Sequence, residues 1–426
     1  MKLEPSIPLL NLESSNQNGR RSPLPMQYLG SKARISSWIL DQIKAKYPDG
    51  KTFVDLFAGT GSVALAANER GYRLLVNDIQ PYSYAIQRSL FQESRDGLLG
   101  LVKNLDLLKT DEALLGSGRE EACQLLDEER SHFKNSASFG WSWETYQEFC
   151  ETTRLVHGLP GEVEVLKAAD NWNLFIRYYA NTYFGVEQCL QLDALREHAE
   201  GLSSESARMH VLAATIAAMT YAVSSTTHLA QYLKPATQRK SLDLIQRRQV
   251  NLVDEVKKRL RNLSDYPLPQ YPATVYQKDF RELLGEISFN PQSIIYVDPP
   301  YFKEHYSRYY HVLDTFYLYD YPELTFNDRI QATTVGRYRQ NRIVSDFGLR
   351  RFVGNAFTDL FVKLKEHGAK GAISYAETSL VKKDQLLTLA TTAGLKATVY
   401  EIELMHSGQG QPRNKVVTEF LFLLEA

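Results

Sequence analysis

Apolar positions follow a strand period at two places in the chain and a helix period between them. From Lys51 the stretch KTFVDLFAGTGSVALAANERGYRLLVND reads as a strand FVDLF, a glycine turn, a helix SVALAANERG closed by Gly71, and a second strand RLLVND. This is one β-α-β unit, the building block of a parallel sheet with covered faces. Upstream, SKARISSWILDQIKAKYP has helical spacing and stops at a proline, and Pro81 opens a further helix through YSYAIQRSLFQES. Residues 96 to 270 read as mostly helical, rich in charge and aromatics, until YPATVYQKDF. Strand patterning then resumes in SIIYVDPPY, AKGAISYAET, LKATVYEIEL and NKVVTEFLFLLE. The expected architecture is an α/β sheet domain in two segments, 25 to 95 and 271 to 426, interrupted by a large, mainly helical insertion at 96 to 270. Residues 1 to 24 are polar and punctuated by proline, which predicts a flexible arm rather than a signal peptide. No repeat of solenoid period is present.

Length and composition narrow the class without naming a function. A chain of 426 residues has room for two or three units with substantial cores. Hydrophobic content of 43% beside 23% charged residues fits a soluble globular protein, and no apolar run approaches the ~20 residues of a membrane helix. Cys123, Cys150 and Cys189 are odd in number and lack CxxC spacing, so neither a disulfide framework nor a zinc site is expected, and a cytoplasmic location is the default. With a formal net charge of −1, any nucleic-acid partner must be held by a local basic surface.

Two motifs carry chemistry. In DLFAGTGS, Asp55 to Ser62, Gly59 and Gly61 lie between strand and helix, where the backbone must pass close to a ligand. The dinucleotide pattern GxGxxG is incomplete, because position 64 is Ala. In a Rossmann-like sheet such a turn lies at the carboxyl ends of the strands, where ligands bind, and Asp78 ends the next strand at the distance suited to a ribose diol. A dinucleotide and S-adenosylmethionine both remain open. Asp55, Phe57 and Ala58 before the glycines suit a methionine ammonium and an adenosine better than a pyrophosphate.

The second motif is SIIYVDPPY, residues 293 to 301, a buried strand ended by Asp298, Pro299, Pro300 and Tyr301. The prolines fix φ and remove competing N–H groups. The Asp298 carboxylate and a proline carbonyl then form a rigid acceptor pair for both hydrogens of an exocyclic amine. Two such acceptors favour a pyramidal nitrogen and aim its lone pair at an electrophilic methyl. Tyr301 offers a stacking face for a base.

Together these blocks, PMQYLGSKARI (25 to 35), FVDLFAGTGS (53 to 62), YQKDF (276 to 280) and YVDPPY (296 to 301), resemble the Dam class of S-adenosylmethionine-dependent DNA adenine-N(6) methyltransferases, with target recognition placed mid-chain. The resemblance covers the two sheet segments, about half of the chain. It implies that Asp55, Phe57, Ala58, Gly59 and Gly61 line the methionine and adenosine of the cofactor and that Asp78 holds its ribose. Asp279 and Phe280 would bracket the cofactor adenine, and Gln27, Tyr28, Gly30, Ser31 and Lys32 would close over cofactor or flipped base. The family more often has Gly-Gly-Lys where this chain has Gly-Ser-Lys. The implied substrate is double-stranded DNA, in a bacterial or phage modification context with a possible cognate restriction endonuclease, and no metal. Methylation of N(4) of cytosine and a catalytically inactive DNA-binding fold are the alternatives. A serine in place of Asp298 is more usual for cytosine, and an asparagine would be expected for glutamine methylation.

An enzyme that flips a base needs a cationic surface around its pocket. Residues 234 to 261 supply Lys234, Arg239, Lys240, Arg247, Arg248, Lys257, Lys258, Arg259 and Arg261, and a second cluster holds Arg337, Arg339, Arg342, Arg350 and Arg351. The aromatics between 139 and 184 are expected mostly in the core. His228 and His311 are expected to pack rather than to catalyse, because attack on a sulfonium methyl needs no strong base.

Overall fold

The computed structural model describes residues 22–92, 94–108, 119–138, 140–153, 164–165, 172–225, 229–300, 306–329, 332–406 and 415–426. A seven-stranded sheet runs in the order β3-β2-β1-β4-β7-β9-β8. Its strands are β1 (Thr52–Asp55), β2 (Arg73–Asn77), β3 (Thr274–Tyr276), β4 (Ser293–Val297), β7 (Lys370–Ala376), β8 (Lys396–His406) and β9 (Lys415–Glu425). A separate two-stranded ribbon pairs β5 (Phe326–Asn327) with β6 (Ala332–Thr333). The first five strands of the sheet are parallel; β9 enters antiparallel between β7 and β8.

Burial on both faces explains why these strands read as nearly continuous apolar runs. In β1, Phe53 points into one apolar layer and Val54 into the other, and Ile294 and Ile295 divide in the same way in β4. The second layer contains Phe280, Phe347, Phe357 and Phe361, with the Val353–His367 helix as its main cover. The first contains α1 (Ser36–Lys46), α2 (Ser62–Glu69), α3 (Pro81–Leu90) and the helices that follow.

Those helices include α4 (Leu98–Leu105), α5 (Arg119–Asn135), α6 (Trp143–Thr152), Val186–Glu200, Glu205–Ala222, Gln238–Arg248 and Leu252–Asp265. The segment between α3 and β3 is therefore helical. Its apolar side chains, among them Leu101, Leu192, Ile216 and Leu260, belong to the same continuous cluster as Phe53 and Ile86. The Glu205–Ala222 helix packs directly on α3. Tyr146, Tyr178, Tyr179, Tyr183 and Phe184 are buried in this layer, as aromatics at helical spacing normally are.

Candidate active site

The parallel part of the sheet reverses direction of travel at β1, whose neighbours are β2 on one side and β4 on the other. Connections leave a sheet in opposite directions at such a point, and a crevice opens beyond the carboxyl ends of the two strands. Asp55 is the last residue of β1, and Asp298 follows β4 directly. One cleft is lined by Tyr28, Gly30, Ser31, Lys32, Asp55, Phe57, Ala58, Gly59, Asp78, Tyr296, Asp298 and Pro300, with Thr60, Ser62, Val63, Ile79, Gln80 and Ser345 completing it.

The floor is a tightly pinned turn. Gly59 and Gly61 have φ of +52° and +77°, a region costly for residues with a side chain. Space is tight as well: a Cβ on Gly59 would stand 3.2 Å from the Tyr28 ring, and one on Gly61 would stand 2.6 Å from Gln87 Oε1, which would have to shift. The carbonyl of Gly59 accepts from Ser83 Oγ at 2.6 Å and from Gln87 Nε2 at 2.8 Å, so α3 clamps the turn from behind. Asn77 knits three strand ends together. Its Nδ2 donates to Leu56 O at 3.1 Å and Lys278 O at 3.0 Å, and its own carbonyl accepts from Ala58 N at 2.9 Å.

Asp78 lines the cleft with both carboxylate oxygens already accepting backbone N–H groups, from Gly59 at 2.7 Å and from Gln80 at 2.9 Å. Each carboxylate oxygen still has a further lone pair. Burial pushes the Asp78 carboxyl above its ordinary range, and these hydrogen bonds hold it back. Asp55 is raised further, by burial and then by the neighbouring Asp298.

Asp298 is mostly buried, with Oδ1 3.2 Å from Lys32 Nζ but accepting no aligned hydrogen bond among the described residues. Burial pushes its carboxyl up to about 6 against the pull of Lys32. An acceptor held inside a cleft without an aligned donor is costly. Lys32 also donates to Glu419 Oε1 at 3.4 Å. The loop that carries Lys32 is fixed where Tyr28 stacks on Tyr310 at 4.8 Å and Leu29 N donates to Tyr310 Oη at 2.8 Å.

Several expected residues stand elsewhere. Tyr301 and His228 lie outside the described residues. Pro299 and Gly61 support the cleft without lining it, and Gln27 turns its N–H toward Thr220 Oγ1. Asp279 is a helix cap, its Oδ1 accepting from Arg281 N at 2.9 Å, and Phe280 is buried against Phe57 and Phe347; neither lines the cleft.

The basic residues divide sharply. Lys234, Arg239 and Lys240 are exposed and Arg247 is half-buried. Arg248 is only 2% exposed, and its guanidinium donates to Tyr146 Oη, Cys150 Sγ, Asn181 Oδ1 and Thr182 O. Arg337 is buried and donates to Tyr178 O, and Arg339 is buried in a bidentate pair with Asp320. For Arg248, Arg337 and Arg339 the expectation of phosphate contact is therefore corrected: their charges are spent on internal acceptors. Arg259 is likewise buried against Glu255, and His311 is a core histidine whose Nε2 lies 3.2 Å from Leu229 O.

Pattern reading passed over Gln87, Ser83, Asn77, Tyr296 and Glu419. Glu419 had a signal, an acid inside the apolar run VVTEFLFL in phase with the inward Leu421 and Leu423. Ser345, reaching the cleft from a distant loop, had none.

The strand order, with one reversed hairpin at the sheet edge and a glycine turn at the switch point, is consistent with a methyltransferase fold. Residues 28–121 match the model of the D12 class N6 adenine-specific DNA methyltransferases. It is 23% identical over 94% of its length to the type II methyltransferase M.FokI of Planomicrobium okeanokoites, covering 52% of that protein. To the modification methylase LlaI of Lactococcus lactis subsp. lactis it is 24% identical over 86% of the chain, 48% of that protein. The chain thus spans about half the length of these two relatives. Against the type II methyltransferase M2.HphI of Haemophilus parahaemolyticus it is 22% identical, covering 94% of this chain and 97% of the relative.

Proposed function

We propose that the chain methylates the N(6) amino group of adenine in a specific sequence of double-stranded DNA, in a restriction-modification setting. The observation that carries this reading is the Asp298 carboxylate: it opens on the same cleft as the Gly59 turn, without an aligned donor, beside the switch point of the sheet. S-adenosylmethionine supplies, when bound, a methyl on a sulfonium sulfur that departs as a neutral thioether. The cleft fits such a group: the turn approaches without side chains, and Asp55 and Asp78 present carboxylates to an ammonium and a diol.

In this reading Asp55, Phe57, Ala58, Gly59, Gly61 and Asp78 form the cofactor half of the site. Gln27, Asp279 and Phe280, which stand off the lining, act as supports at most. Asp298 and a carbonyl of the following proline pair accept the two amine hydrogens and turn the nitrogen lone pair toward the methyl. The nitrogen forms the new C–N bond as the S–C bond breaks, and then sheds a proton to solvent through the carboxylate. Tyr301 stacks on the extruded base. The helical segment 96–270 reads the target sequence, with Lys234, Arg239, Lys240 and Arg247 on the phosphates.

The test is incubation with labelled S-adenosylmethionine and DNA lacking adenine methylation, followed by digestion to nucleosides. N(6)-methyladenosine is expected. N(4)-methylcytidine, or no label despite measurable DNA binding, overturns the reading in favour of one of its two rivals.

A further inference from the structure

Glu419 stands on β9, the one antiparallel strand inserted into the sheet, and lies outside the cleft lining. Register places it opposite Ala376, beyond the level at which β7 pairs with the end of β4. Its side chain is 4% exposed, that of Lys32 is 3% exposed, and that of Asp298 is 17% exposed. One ammonium from the loop before α1 therefore meets two carboxylates from separate strands, at 3.2 Å from Asp298 and 3.4 Å from Glu419.

A buried ammonium with a single carboxylate partner draws into a full salt bridge, since neither charge has another way to recover its lost hydration. Here Lys32 is divided between the two acids: it donates an aligned hydrogen bond to Glu419 Oε1, while Asp298 Oδ1, though nearer, accepts no aligned one among the described residues. We propose that Glu419 is a positioning residue for methyl transfer: it shares the Lys32 ammonium with Asp298, so that the Asp298 carboxylate is not closed into a full salt bridge and keeps an acceptor for the substrate amine. The proposal rests on the adenine-methylation reading above.

Among the described residues, the charged and titratable groups facing Asp298 are Tyr28 and Lys32 from the loop before α1, Asp55 from β1, Tyr296 from β4 and Glu419 from β9. Among these Lys32 lowers the proton affinity of Asp298 and Glu419 raises it. Removing the two partners must therefore move the titration of Asp298 in opposite directions.

The test is isothermal titration of S-adenosylmethionine without DNA, across the pH range in which affinity falls on acidification. Wild type, Glu419→Gln, Glu419→Asp and Lys32→Met are compared. S-adenosylhomocysteine, which lacks the sulfonium charge, serves as the control ligand. Glu419→Gln is expected to move the acid midpoint down by at least about half a pH unit, and Lys32→Met to move it up by as much. Glu419→Asp, which withdraws the carboxylate by one methylene, should fall between wild type and Glu419→Gln. The acid limb of methyl transfer to DNA should follow the same order.

A merely structural Glu419 would weaken binding at every pH and leave the midpoint in place. Midpoints of both Glu419 variants coinciding with that of wild type overturn the proposal. Wild type that binds the cofactor yet forms no N(6)-methyladenine overturns the parent reading instead, so the two failures are distinct.

Discussion

Gly61→Ala tests whether the glycine turn is built for close approach or is simply a convenient bend. The residue has φ of +77°, and an alanine there costs about 1–2 kcal/mol in left-handed backbone strain. Its Cβ would lie 2.6 Å from Gln87 Oε1, so the Gln87 amide must swing away. That amide donates to Gly59 O at 2.8 Å, and losing this bond costs about another 1 kcal/mol. The cost of about 2–3 kcal/mol falls on the geometry of the turn itself. If the turn relaxes to escape it, affinity for S-adenosylmethionine drops by roughly 30- to 150-fold. If the turn holds, the same cost appears as a lower midpoint of denaturant unfolding. Gly97→Ala is the matched control, with φ of +82°, open space where a Cβ would be, and a place at the start of α4 outside the cleft. It should lose stability from the backbone term alone and keep its affinity. Calorimetric titration and a urea melt on the two variants decide the matter. Wild-type affinity together with a wild-type midpoint for Gly61→Ala would refute the argument.

Further outcomes follow from the same geometry. Asp298→Asn keeps the shape but exchanges one acceptor for a donor, so methyl transfer measured at saturating labelled cofactor should fall by about 10²–10³; unimpaired turnover would remove the carboxylate from the mechanism. Because burial pushes Asp298 up to about 6 and the ionised form is the acceptor, turnover should be complete above that pH and decline as pH falls through it, whereas an ordinary surface carboxylate would hold the rate down to about 4. Arg248→Met strands Tyr146 Oη, Asn181 Oδ1 and Thr182 O without their buried donor and should cost about 3–5 kcal/mol in a denaturant melt. Lys234→Ala, Arg239→Ala and Lys240→Ala combined should leave that melt alone but weaken DNA binding, making the slope of log affinity against log salt shallower by about 3, as a fluorescence-anisotropy series would reveal.

How far the chain declared this arrangement beforehand depends on the range of the interaction involved. The β1-α2-β2 unit and the strand ending in Asp298 are local patterns, and both are where periodicity and turn chemistry put them. Two acids legible one at a time, Asp55 and Asp298, become neighbours only because β1 and β4 pair in register across a gap of more than two hundred residues. No local pattern encodes that pairing. Basic residues mislead for a related reason. Arg248 and Arg247 are adjacent in the sequence and equally cationic, yet one helical step turns the first toward Tyr146 and Asn181 and leaves the second half in solvent. Charge counted along a chain measures supply, and only packing decides which guanidiniums reach the surface. Glu419 lies between these cases. The strand period already marked it as an inward acid in an apolar run, and a buried carboxylate demands a partner. That the partner is Lys32, brought from the opposite end of the chain to the rim of the cleft, is a fact of the tertiary fold. The cleft thus joins a floor written in contiguous motifs to an electrostatic wall assembled from distant single residues, and that wall tunes a protonation of Asp298 that burial first sets.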